Sequence, residues 1–296
     1  MSSKVNALDP VLDCTLASLH IHPIKSCGGI AVDEALLIET GLEFDRAWMV
    51  VDEDGQMLTQ REWPRLALIQ PTLRHADLLL RAPGMLSLHL ALDAVEEPTT
   101  AQVWNDRVKA YEMGALAAQW FTDFLAPGPG RKLRLVRFDP DQQRLASRQW
   151  TGEIAAETAF ADGFPLLVAN PASLADLNQR LVARGGEPVT MQRFRPNLVI
   201  DGLPAWDEDH IDEIILDTGE GPVVLRLVKP CTRCSVPNVD PLTAATSNEP
   251  GDTLTTFRSD PRMNGGITFG INAVVVEGQE RVLRPGQRGR ASWKFD

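Results

Sequence analysis

Turn residues interrupt most apolar stretches of this chain before a helix could be completed, and that spacing restricts the fold more than any single motif. Residues 12–25 alternate in polarity as a strand does. Arg46–Asp52 and Gln56–Arg61 are joined by Glu53-Asp54-Gly55, and Asp-Gly between apolar runs signals a hairpin. LALIQPTLRH, LLLRAPG and LSLHLAL follow as further short runs. Later come KLRLVRF at 132–138, then NLVIDG, EIILDTG, VVLRLVK and INAVVVEG. The final RVLRPGQRGRASW has the character of the closing turns of a small barrel.

Two segments carry helical spacing instead. Residues 115–125, ALAAQWFTDFL, end at Pro127-Gly128-Pro129-Gly130, which stops a helix and marks a hinge or boundary. Residues 171–184 open with Asn170 as a cap and Pro171 in the first turn, and Gly185-Gly186 closes them. The expected class is β-rich α+β with two or three helices and two lobes, divided near residue 130.

Composition narrows the function. At 44% hydrophobic and 23% charged, the chain can bury a core, and it holds no apolar run long enough to span a membrane. Its first residues are acidic and lack an apolar core, so neither a secretory leader nor a transit peptide is expected, and a cytoplasmic location is. A net charge of −11 opposes a general grip on nucleic acid or anionic lipid. An anionic small ligand would need a local cationic cluster.

The chemistry-bearing segment is Val228–Pro241, VKPCTRCSVPNVDP. Cys231 and Cys234 could chelate zinc, form a redox dithiol, or place one thiolate at a metal. A closed zinc site needs four ligands; Cys14 and Cys27 lie far upstream, and the five histidines form no H-x-x-x-H pair. A thioredoxin-like dithiol opens a helix, which Pro237 and Pro241 discourage. A single thiolate at a soft, redox-active metal remains, with Arg233 and Lys229 near enough in sequence to favour the thiolate. Cys27, beside Lys25 and Ser26, reads as a small buried hydrophobe. His20 and His22 read as packing or surface donors, and most of the seven tryptophans as core. DEDHIDE at 207–213 reads as a solvated acidic loop.

These motifs carry a resemblance. K-P-C-T-R-C followed by V-D-P resembles the MOSC domain. HIHPIKSCGG (20–29), GLEFDRAWMVVD (41–52) and TQREWPRLALI (59–69) resemble the β-barrel domain that precedes it in one branch, that of the mitochondrial amidoxime-reducing component and its bacterial relatives. ADGFPLLVANPASLADLNQRL (161–181) and RFRPNLVIDG (193–202) match as well. The resemblance implies a MOSC N-terminal β-barrel-like domain over 12–130 and a MOSC β-barrel domain over 131–296.

It also implies a molybdenum cofactor, Mo-molybdopterin, with Cys234 as metal ligand and Cys231 as a neighbouring thiol. Lys25, Ser26 and Arg46 fall where the family contacts the cofactor phosphate. Asp162, Arg195, Asn197 and Thr232 fall at pterin positions, and Asn272 stands where the animal members carry tyrosine. The implied activity is reduction of small N-hydroxylated compounds to amines. A ferredoxin-like C-x4-C-x2-C run, present in some bacterial relatives, is not found in this sequence. Electrons are therefore expected from a separate protein, ferredoxin- or flavodoxin-like, or cytochrome b5-like with its reductase. Cofactor carriage or storage, and sulfur transfer through a cysteine persulfide, are the alternatives from other functional classes.

Overall fold

The computed structural model describes residues 11–294. The segment read as leaderless therefore begins outside the described residues, in 1–10.

Seven strands close into a barrel. Around it run Leu166–Ala169, Leu198–Asp201, Val11–Ile21, Arg288–Trp293, Ile211–Asp217, Pro222–Thr232 and Gly266–Glu277, and the last pairs back onto the first. All neighbours are antiparallel except Leu166–Ala169 with Leu198–Asp201. A parallel pair needs a crossover, and the helix Pro171–Ala183 supplies it. That helix begins as its sequence predicts: Asn170 Oδ1 accepts from Ala172 N at 2.9 Å, with Pro171 in the first turn. Alternate residues of the barrel strands, from Leu16, Leu19 and Ile21 to Leu225, Leu227 and Ala291, fill the interior.

A second lobe packs beside the barrel. Its four-stranded sheet runs Trp48–Val51, Arg134–Phe138, Asp106–Glu112 and Pro98–Val103, and a three-stranded meander covers Gln70–Leu73, Asp77–Arg81 and Leu88–Ala91. The helix Gly114–Leu125 buries Ala117, Trp120, Phe121, Phe124 and Leu125 against Trp48, Val50, Leu133 and Leu135. The two lobes interleave along the chain. Val11–Ile21 belongs to the barrel sheet, with the C-terminal strands, while Arg134–Phe138 lies in the sheet of the second lobe.

Two local expectations change, and one hairpin was not anticipated. The Asp54-Gly55 turn forms, but its second arm makes only bridges at Gln56 and Met57. The hairpin Pro98–Val103 to Asp106–Glu112 carries no Gly at its turn; Trp104 takes the left-handed conformation at φ +52°. DEDHIDE is not a solvated loop. Glu208 is fully buried, Asp209 pairs with Arg258 at 2.6 Å, and Glu213 pairs with Arg226. Glu208 Oε2 accepts from the neutral Asn170 Nδ2 and Ser173 Oγ. Burial lifts its carboxyl to about 7, although those two hydrogen bonds oppose the rise.

Candidate functional site

A cleft opens between the barrel and the second lobe. It gathers Lys25, Ser26, Arg46, Asp162, Arg195, Asn197, Thr232, Cys234 and Asn272, every candidate position named from the sequence. Five cationic side chains line it (Lys25, Arg46, Arg61, Arg195 and Arg233) against one carboxylate, Asp162. In a chain of net charge −11 this is the local cationic cluster that an anionic ligand requires.

One end of the cleft is a buried floor. The chain leaves Val11–Ile21 and passes beside the start of Trp48–Val51: Arg46 N donates to His22 O, Trp48 N to Pro23 O, and Lys25 N to Trp48 O. This pairing fixes Lys25 and Arg46 on adjacent segments. Lys25 is 6% exposed, and its Nζ donates to Phe160 O at 2.9 Å and to Asp162 Oδ1 at 2.5 Å. Burial pulls the Lys25 ammonium down from its ordinary value; Asp162 counters this, while Arg46 and Arg144 add to it.

Arg46 is held on three sides. Its Nη1 donates to Asp45 Oδ2 at 2.5 Å and to Asn197 Oδ1 at 3.1 Å, and its Nη2 donates to Arg195 O at 3.0 Å. Asn197 Oδ1 also accepts from Leu167 N, and Asn197 Nδ2 donates to His20 O. Asn197 is therefore a buried tie between three segments. Burial alone would raise the Asp45 carboxyl, but Arg46 and the His22 contacts overcome this and hold it at about 2. His22 Nδ1 sits 3.7 Å from Asp45 Oδ1 and makes no hydrogen bond. Burial, with Arg46 and Arg195 nearby, keeps that imidazole well below its usual range.

Arg195 donates through Nη1 to Cys27 O. Burial and the Arg46 charge bring its guanidinium down to about 10. Cys27 itself is fully buried and its thiol is pushed up to about 12 by burial, which suits a packing role. Ser26, Arg46, Trp104 and Arg195 all take the left-handed backbone conformation. That conformation costs an L-residue roughly 1 kcal/mol, so tertiary hydrogen bonds hold the floor against local preference.

The other end is an exposed rim. Pro222–Thr232 slips register against Gly266–Glu277 between Leu227 and Lys229 and again between Pro230 and Thr232. Pro230 has no N–H to give the ladder, so its place beside a register shift is expected. The kinked end carries Cys231, Thr232 and Cys234 to the cleft, and a 3-10 turn at Val236–Asn238 follows instead of a helix, as Pro237 and Pro241 require. Cys234 is exposed and Cys231 half-buried. Arg233 Nη1 lies 2.9 Å from Cys231 Sγ, its Nη2 donates to Phe194 O at 2.8 Å, and the guanidinium stacks on the Phe194 ring. The Lys229 ammonium lies over the Trp150 and Phe164 rings. Asn272 Nδ2 donates to Lys229 O at 3.2 Å, tying the rim to the neighbouring strand. Among the described residues no three His, Cys, Asp or Glu side chains gather as a metal cluster.

The sequence missed Thr59, Arg61, Trp104 and Phe194 as lining residues. Of the tryptophans read as core, Trp48 and Trp120 are buried and Trp63, Trp150, Trp206 and Trp293 pack partly buried against core clusters, but Trp104 is 37% exposed at the cleft. Asn105-Asp106 after Val103-Trp104 was the one turn signal that could have placed it. Arg144 was also missed: it is buried and donates to Ala159 O, Ala161 O and Asp162 O, fixing the loop that faces Lys25.

Comparison with known proteins adds the lineage. The MOSC N-terminal beta barrel domain matches residues 13–127, and the MOSC domain matches 155–288. Human mitochondrial amidoxime reducing component 2 is 37% identical over 256 residues, covering 82% of this chain and 72% of that protein. Human mitochondrial amidoxime-reducing component 1 is 38% identical over 260 residues, covering 83% and 73%, and the mouse component 1 is 38% identical over 256 residues, covering 82% and 71%. The chain thus belongs to the MOSC-domain family, in the branch that joins a MOSC N-terminal beta barrel to a MOSC domain.

Proposed function

We propose that this chain binds a molybdenum cofactor in the cleft, with Cys234 as the thiolate ligand, and reduces small N-hydroxylated compounds to amines. The observation that carries the reading is the pairing, in one cleft, of an exposed thiol rim with a buried cationic floor. A pterin cofactor that binds metal through sulfur at one end and carries a phosphate at the other needs both. The donor set fits it: a soft sulfur donor for the metal, and Lys25, Ser26 and Arg46 for the phosphate.

When bound, the molybdenum centre supplies the two-electron chemistry that no side chain here can. The chain's own residues do the rest. Cys234 is the one rim thiol not already engaged by Arg233. Asp45 balances the Arg46 charge and, with Asn197, aims its guanidinium at the floor. Thr232 and Asn272 flank the rim and offer hydroxyl and amide groups to a pterin or substrate edge. Arg195 adds charge at the floor, where it donates to Cys27 O. Electrons are to come from a separate ferredoxin-, flavodoxin- or cytochrome b5-like protein.

The test is to produce the chain in a host that makes the cofactor, assay molybdenum, and measure benzamidoxime reduction with an artificial electron donor. Stoichiometric molybdenum with turnover is the expected result. Bound molybdenum with no reduction of any N-hydroxy substrate would instead favour cofactor carriage.

A further inference from the structure

Asp162 holds an unusual place at the floor. Its side chain is 78% exposed, yet its Oδ1 accepts from the nearly buried Lys25 ammonium at 2.5 Å and from Trp104 Nε1 at 3.1 Å. Among the described residues it is the only carboxylate lining a cleft with five cations. The chain has placed an anion of its own on Lys25, within the influence of Arg46 and Arg195.

Its two partners differ in what they can do without it. Lys25 is pinned by burial and by Phe160 O, so its ammonium must keep facing the cleft. Trp104 sits at a hairpin tip with one face under the Arg61 guanidinium, 4.7 Å from the ring centroid, and no carboxylate among the described residues pairs with Arg61. The backbone at Asp162 is held by Arg144, which donates to its carbonyl, while the side chain itself is 78% exposed. The carboxylate therefore has room to swing away while its backbone stays.

We propose that Asp162 is the protein's own occupant of the anion subsite, exchanged for the phosphate of an incoming ligand, and that Trp104 and Arg61 are the ligand-binding residues this exchange releases to cover it. The proposal rests on the cleft being a site for a phosphate-bearing ligand. A phosphate carries more charge and more acceptor oxygens than a carboxylate, so it outcompetes Asp162 for Lys25, with Arg46 and Arg195 close by. Trp104 then loses the acceptor of its indole N–H. Lys25 keeps its Phe160 O contact while the exposed Asp162 carboxylate moves, so Asp162 can return when the ligand leaves.

The experiment titrates inorganic phosphate into the full chain, reading tryptophan emission and the heat of binding, for the wild type, Trp104→Phe, Asp162→Ala and Lys25→Met. Wild type should show a saturable emission change that Trp104→Phe lacks. Asp162→Ala, which leaves an exposed position and should fold normally by circular dichroism, should bind phosphate roughly fivefold more tightly, equivalent to about 1 kcal/mol. Its emission before phosphate should match that of the phosphate-bound wild type. Equal or weaker phosphate binding by Asp162→Ala, or an emission change that survives in Trp104→Phe, overturns the exchange while leaving the anion subsite standing. No phosphate binding by the wild type, or undiminished binding by Lys25→Met, overturns the anion subsite itself and the cofactor reading with it.

Discussion

The two ends of the cleft are built on opposite principles. The floor is buried, charged and tightly hydrogen-bonded: Asp45, Arg46 and Asn197 have their geometry set by one another, and Lys25 is held by Phe160 O and Asp162. The rim is exposed, and among its thiols only Cys231 has a charged neighbour in contact. A buried charge network cannot be improvised on binding, because each unpaired group would cost several kcal/mol, so it is prepared in advance. A metal ligand needs the reverse, a sulfur open to the ligand that is to take it. The difference places recognition at the floor and reactivity at the rim.

The largest effect expected is at the rim. Cys234→Ala should abolish molybdenum retention and reductase turnover together. The loss should exceed the 10–100-fold drop typical when only a partner of a metal ligand is removed. Metal analysis of protein from a cofactor-competent host decides it, and stoichiometric molybdenum in the variant would remove Cys234 as the ligand.

At the floor the largest effect should be on stability. Asp45→Ala leaves Arg46 without its carboxylate partner and the His22 backbone N–H without its acceptor. Removing one partner of such a pair costs about 3 kcal/mol, readable as a lower urea midpoint at constant slope. Cys234→Ala, on an exposed residue, should leave that midpoint within about 0.5 kcal/mol of the wild type. If both variants shifted it equally, the contrast between the ends would be lost.

How far the sequence could carry this contrast follows from the range of the interactions. The Asn170 cap, the Pro127–Gly130 stop and the proline-blocked turn after Cys234 are local, and they form as the sequence indicates. The nine candidate positions meet because most of the motifs that marked them flank barrel strands whose ends open on the cleft, as Lys25 and Ser26 follow Val11–Ile21 and Arg195 and Asn197 precede Leu198–Asp201. Trp104 and Arg144 were not legible. Trp104 turns a hairpin in a backbone conformation that its residue type disfavours, and nothing in Arg144's neighbours indicates burial against the 159–162 backbone. Glu208 misled for a related reason. An acidic run normally faces water, and its burial depends on Asn170 and Ser173, more than thirty residues upstream.

Acid should weaken the floor in a defined window. The Asp45 carboxyl is held at about 2 against an ordinary 3.8, so the folded chain binds its proton less readily than the unfolded one. Its contribution is complete above about pH 5 and is lost as the pH falls through about 2. The size is on the order of 2 kcal/mol. Unfolding free energies of wild type and Asp45→Asn across that range should diverge above pH 4 and converge toward pH 2. Parallel curves would mean that Arg46 does not hold the Asp45 charge.

The smallest effect sharpens the rim itself. Cys231→Ser removes the sulfur beside Arg233 but leaves Arg233 anchored by Phe194 O and stacked on the Phe194 ring. The serine hydroxyl can still accept from the guanidinium, so the loss should stay below about 1 kcal/mol, or roughly fivefold in kcat/KM for an N-hydroxy substrate. Molybdenum content should be unchanged. The two cysteines stand three residues apart in one motif and line one cleft, so only the variants can separate ligand from neighbour. Loss of metal in Cys231→Ser comparable to that in Cys234→Ala would make the rim a two-thiol site, and the arginine contact at Cys231 would then have to be read as holding a second sulfur ready for the metal.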